Sequence, residues 1–139
     1  IEETFKKLKN SSNVVTPIYK LSPTNIHNPN VVKTLISKDG KVIYFSRSAL
    51  PHIRDVPMDK WHLHATYWGH AGIYGFRAEM LLKWNEISNS HLEKVEKLEQ
   101  LRLIDAGYKI STFEAEEECL SVDTEEQLAI ARLKVKSNK

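Results

Sequence analysis

Apolar residues along the chain repeat at helical and strand spacings in turn, and that alternation divides it into elements. Ile1, Phe5 and Leu8 fall on one helical face, so a helix already under way at the first residue is expected, as in a segment cut from something longer. Residues 13–19 are β-branched at Val14, Val15 and Ile18 and read as a strand, with Pro17 pointing to an edge or a bulge. Pro23, Pro29 and three asparagines predict a loop over 22–30. Residues 31–37 and 41–46 then form strands around Lys38-Asp39-Gly40, a hairpin signal. Residues 48–65 carry Pro51 and Pro57 and no clean period, which predicts an irregular excursion.

The second half alternates more regularly. Residues 69–76, apolar, aromatic and glycine-bearing, suit one buried strand. Residues 78–84 suit a helix with Leu81, Leu82 and Trp84 inward. Asn89 or Ser90 caps a longer helix over 91–105, where Leu92, Val95 and Leu98 face the core and Gly107 follows as a stop. Residues 108–114 form a strand, and Thr124 opens a last helix with Leu128, Ala131 and Val135 inward. This order predicts an α/β fold with an inserted hairpin, in a single domain over 1–139.

Composition changes this picture little. A net charge of +2 with scattered basic residues argues against nucleic acid, and Lys134, Lys136 and Lys139 read as a solvated end. No stretch approaches the ~20 apolar residues of a membrane span. Cys119 is the single cysteine, which excludes an internal disulfide and suits a reducing compartment.

Several polar residues sit inside apolar stretches, where a folded chain must satisfy or use them. Arg47 and Arg54 flank a proline turn and suit an anion, although Arg54 also has Asp55 beside it as an ion-pair partner. His70 and Tyr74 would share a face of a regular strand, as structural residues or as ligands for a hydroxyl or carboxylate. Glu93 and Lys97 form an i, i+4 helix pair. Glu96 and Gln100 share a face, solvated or part of a polar site. Asp123, at a strand-to-helix junction, either caps the last helix or presents a carboxylate to magnesium. His62-Leu63-His64 lacks a third ligand at any indicative spacing and reads as loop.

Taken in order, Asn28-Pro29-Asn30-Val31-Val32-Lys33, Tyr44-Phe45-Ser46-Arg47, Leu50-Pro51-His52-Ile53-Arg54-Asp55, His70-Ala71-Gly72-Ile73-Tyr74-Gly75-Phe76-Arg77, Leu98-Glu99-Gln100-Leu101-Arg102 and Val122-Asp123-Thr124 resemble the 3-deoxy-manno-octulosonate (Kdo) cytidylyltransferase family. The resemblance implies the C-terminal part of a nucleotide-diphospho-sugar-transferase-like three-layer sandwich, with an inserted β-hairpin and dimerisation region. It implies a cytoplasmic, magnesium-dependent homodimer of lipopolysaccharide biosynthesis that couples Kdo to CTP and releases pyrophosphate. By position, Arg47, Arg54, His70, Tyr74, Glu99 and Gln100 would hold the sugar acid, and Asp123 would be a metal ligand.

Departures from the family pattern cluster near that pocket: Gly69 where a basic residue is common, His52 for an aromatic, His91 for a proline, and Leu120-Ser121 before Val122. They leave a related acid open, an 8-amino derivative or a nonulosonic acid, as well as an inert dimerisation module. The family's nucleotide loop, cytosine pocket and Gln-Gly-Asp-Glu-Pro segment do not occur here, so the chain by itself is expected to be inactive, with no catalytic residue of its own.

Overall fold

The structure is a computed structural model that describes residues 13–115 and, outside them, 4, 6, 8, 122, 125, 128, 129 and 131–133. Asp123, Cys119, Thr124 and Val135 lie outside the described residues. Thr4, Lys6 and Leu8 are helical, as are Glu125, Leu128, Ala129 and residues 131–133, with Leu128 and Ala131 half-buried.

Among the described residues six strands form one mixed sheet: β1 (Val14–Lys20), β2 (Lys33–Ile36), β3 (Val42–Ser46), β4 (Trp68–His70), β5 (Gly75–Phe76) and β6 (Ile110–Glu114). Within residues 13–115 they are accompanied by α1 (Ala78–Leu82), α2 (His91–Glu96) and α3 (Leu101–Asp105), with short 3-10 turns between. The α/β expectation holds.

The sheet runs β3-β2-β4-β1, with β5 also on β1 and β6 parallel to it. The expected edge position for residues 13–19 is wrong, because β1 is the central strand and its first six residues are buried. Pro17 is tolerated there because the antiparallel neighbour changes beside it. β4 pairs with Ile18–Lys20 and β5 with Val14 and Val15, so the missing N–H falls in the gap. On the other edge β6 continues past Pro17 in parallel register.

The β2–β3 hairpin forms at Lys38-Asp39-Gly40, where Gly40 has φ +73. Its turn meets β6: Thr112 donates to Gly40 O from the backbone at 2.9 Å and from Oγ1 at 3.0 Å.

The expected strand over 69–76 is two short strands. Gly72, at φ +73, turns the chain between them, and residues 71–74 leave the ladder. The excursion over 48–65 contains a 3-10 segment, Met58–Leu63, that plants Trp61 against Ile26 and Tyr67 in a small second core.

The main core joins Val14, Val42, Phe45, Met80, Leu98, Leu101, Leu103 and Ile110. Each large member contributes about 1.5–3 kcal/mol by leaving water. Leu81 and Leu82, expected inward, are 56% and 78% exposed, whereas Met80 is buried. With α1 only five residues long, one buried side chain per turn suffices. Trp84 does pack on the core.

The helix expected over 91–105 is broken. Ser90 caps α2 with a reciprocal box, its Oγ accepting from Glu93 N at 3.0 Å. Lys97 then turns left-handed at φ 54, and α3 starts anew. Val95, expected inward, is 66% exposed, while Leu98, Leu101 and Leu103 are buried. No single helix puts Leu92, Leu98, Leu101 and Leu103 on one face, so the break is what buries them together. The Glu93–Lys97 pair does not appear, because Glu93 bonds Arg102 instead.

Candidate functional site

Ring contacts run from β3 across the sheet to the 3-10 turn Lys83–Glu86 that follows α1. Phe45 meets His70 at 4.8 Å between centroids, His70 meets Tyr74 at 5.1 Å, Tyr74 meets Phe76 at 5.9 Å, and Phe76 meets Trp84 at 5.8 Å. His70 ends β4 and Tyr74 precedes β5, so the face-sharing expected of one strand arises from two strands and a turn.

Thr16, the polar residue of the buried β1, decides the state of His70. Its hydroxyl donates to Ile73 O at 2.7 Å and lies 3.0 Å from His70 Nε2. One hydroxyl has one proton, so it must accept from the ring, and Nε2 carries the hydrogen. Burial pushes the imidazole down to about 4, which keeps it neutral at physiological pH. Nδ1 is then a lone-pair acceptor.

Tyr74, Phe76, Leu81, Trp84, Glu99, Gln100 and Leu103 line a cavity of about 280 Å³. The Tyr74 hydroxyl is buried without a hydrogen-bond partner among the described residues. Burial first, and the Glu99 charge second, raise its pKa and hold it protonated. Gln100 is 6% exposed and lines the same cavity. Glu99 stands exposed at the rim. A buried polar group left unpaired costs about 1–3 kcal/mol, so the Tyr74 hydroxyl, with the Gln100 side chain on the same cavity, marks a place built for a polar guest.

Arg47 is half-buried and anchored. It donates from Nε to Glu96 O at 2.9 Å and from Nη1 to Pro29 O at 3.0 Å. Glu96 accepts from Ser46 Oγ at 2.6 Å and Arg47 N at 3.0 Å, so the break after α2 sends Glu96 to β3 and Gln100 to the cavity. They do not share a face. Arg54 stands apart, on the exposed loop, 3.3 Å from Asp55 in an ion pair whose side chains are 89% and 85% exposed. Such a pair is weak and yields readily to a stronger anion.

Among the described residues no group of three or more His, Cys, Asp or Glu could hold a metal ion. His62 and His64 are exposed. Sequence reasoning missed Thr16, Lys33 and the bonds of Glu96. The signal for the first two was a polar residue in the middle of a β-branched strand.

A family model described as cytidylyltransferase matches residues 1–110. The 3-deoxy-manno-octulosonate cytidylyltransferase of Porphyromonas gingivalis is 39% identical over 111 residues, covering 78% of this chain and 44% of that protein. That of Elusimicrobium minutum is 37% identical and covers 99% of this chain and 57% of its own length. A solved structure of CMP:2-keto-3-deoxy-manno-octonic acid synthetase complexed with CTP superposes with a TM-score of 0.88 at 30% identity, covering 99% of this chain and 56% of that one. The chain thus spans about half the length of the curated relatives it matches.

Proposed function

Because the chain belongs to the cytidylyltransferase family, we propose that it is the sugar-acid-binding, C-terminal part of an enzyme that transfers CMP from CTP to Kdo and releases pyrophosphate. The observation that carries this reading is the Tyr74 hydroxyl, buried and unpaired among the described residues, on one cavity with Gln100 and beside a neutral His70. A sugar offers hydroxyls that both donate and accept, which is what these groups need.

In the proposed complex His70 Nδ1 accepts from a sugar hydroxyl, Tyr74 and Gln100 bond others, and Glu99 accepts at the rim. The sugar carboxylate pairs with Arg47, whose Nη2 is not engaged among the described residues, and Arg54 reaches in from its loop. The triphosphate is held chiefly by the part of the family's length that this chain does not span. Magnesium would screen its charge, with Asp123 supplying a single carboxylate to the ion. A cytoplasmic homodimer belongs to this reading, with the exposed apolar side chains Ile43, Ile73 and Leu82 available to a second copy.

A related sugar acid is the second reading, favoured by Gly69. A Cβ there would lie 2.5 Å from the Tyr19 ring and 2.7 Å from Leu21, so a larger side chain fits only if both move. Titrating Kdo and an 8-amino analogue into the chain, with NMR signals of His70, Tyr74 and Gln100 as readout, tests both. Saturable shifts with Kdo, weakened in Tyr74→Phe and Gln100→Ala, are expected. A folded chain that responds to neither acid would favour the inert dimerisation module.

A further inference from the structure

Lys33 has no exposed surface. It sits in β2 between its register partners Ser46 in β3 and Gly69 in β4. Its ammonium donates to Asn28 O at 2.8 Å and Val31 O at 2.6 Å. Arg47 takes Pro29 O from the same turn. Two cations therefore grip three of the four carbonyls between residues 28 and 31.

One carboxylate, Glu96, faces this pair from α2, and it already accepts from Ser46 Oγ and Arg47 N. Burial, and then the Arg47 charge, bring Lys33 down to about 8 against the opposing pull of Glu96. From β4 its partner is Gly69, which carries no charge. Burying an ammonium without a carboxylate bonded to it is costly, and methionine would fill the same space without that cost. What lysine adds is its donors.

We propose that Lys33 is a positioning residue for Arg47: it fixes the turn at residues 28–31 so that Pro29 O and Glu96 O hold the guanidinium in one pose, with Nη2 presented to the sugar carboxylate. The last clause rests on the proposed function; the positioning does not.

The Arg47 Nε–H signal in NMR reports the pose without any ligand. In the wild-type chain this hydrogen is expected to be protected from exchange. In Lys33→Met protection should fall at least about tenfold, and the affinity for Kdo should weaken by a similar factor, while the melting temperature stays within a few degrees. Unchanged Arg47 Nε–H protection in a folded Lys33→Met chain overturns the proposal. Should that variant not fold, the wild-type chain decides by pH titration. The Asn28 and Val31 carbonyl carbons and Arg47 Nε are expected to shift with one midpoint of about 8. Carbonyls that titrate while Nε stays flat overturn it equally. Because neither the exchange measurement nor the pH titration uses Kdo, a wild-type chain that fails to bind Kdo counts against the proposed function alone.

Discussion

Arg102 donates from Nε to Glu93 Oε2 at 2.9 Å although nine residues separate them. On a continuous helix nine residues make about 2.5 turns and put two side chains on opposite faces. The left-handed Lys97 folds α3 back beside α2 and brings them together. Arg102 also lies over the Trp84 ring, 4.9 Å from its centroid, so one guanidinium ties α2, α3 and the aromatic row.

Arg102→Met should therefore lower stability by about 2 kcal/mol. That is less than the ~3–5 kcal/mol of a deeply interior pair, because this one lies just beneath the surface. Denaturant melts of the wild type, Arg102→Met, Glu93→Gln and the double variant would give the coupling. Additive losses would mean that the pair does not stabilise the helix break.

Lys97→Gly should stabilise the chain by up to ~1 kcal/mol, since a left-handed residue with a Cβ costs about 1–2 kcal/mol and glycine's greater freedom when unfolded takes part of that back. A higher melting temperature is expected, and an unchanged or lower one would contradict the left-handed turn.

Stability should also fall in acid. The folded His70 pKa of about 4 lies below the ordinary 6.5, so between those values the unfolded chain binds a proton that the folded chain refuses. Stability is full above about 6.5 and declines as the pH drops towards 4. Glu93, held below its usual range first by the Arg102 hydrogen bond, adds a second loss in more acid solution, as its carboxyl protonates. NMR titration of the imidazole checks the first window, and a midpoint near 6.5 would refute the buried, neutral ring.

Tyr74→Phe removes a buried hydroxyl that has no partner among the described residues, so stability should stay level or rise by about 1 kcal/mol while Kdo binding weakens. Thr34→Val is the control: its hydroxyl is also buried and unpartnered, and losing it should leave ligand affinity alone. Equal effects of both variants on affinity would separate the phenol from the site.

Local spacing in the sequence determined the elements: β-branched runs at 14–18 and 110–114, the glycine hairpin turn at residue 40 and the Ser90 cap all formed where short-range chemistry puts them. The ordered motifs likewise picked out His70, Tyr74, Glu99 and Gln100 as candidates. Only tertiary structure decided that β1 is central despite Pro17, because that depended on where β4 stops and β5 begins. It also broke the helix at Lys97, since burying Leu98, Leu101 and Leu103 against the sheet outweighed helical continuity. The protonated nitrogen of His70 is set by Thr16, fifty-four residues away, and the carbonyls held by Lys33 become visible only when the turn before β2 closes on it. Spacing along a chain reports what a residue is next to in sequence; burial and pairing across strands depend on which distant segments pack against it.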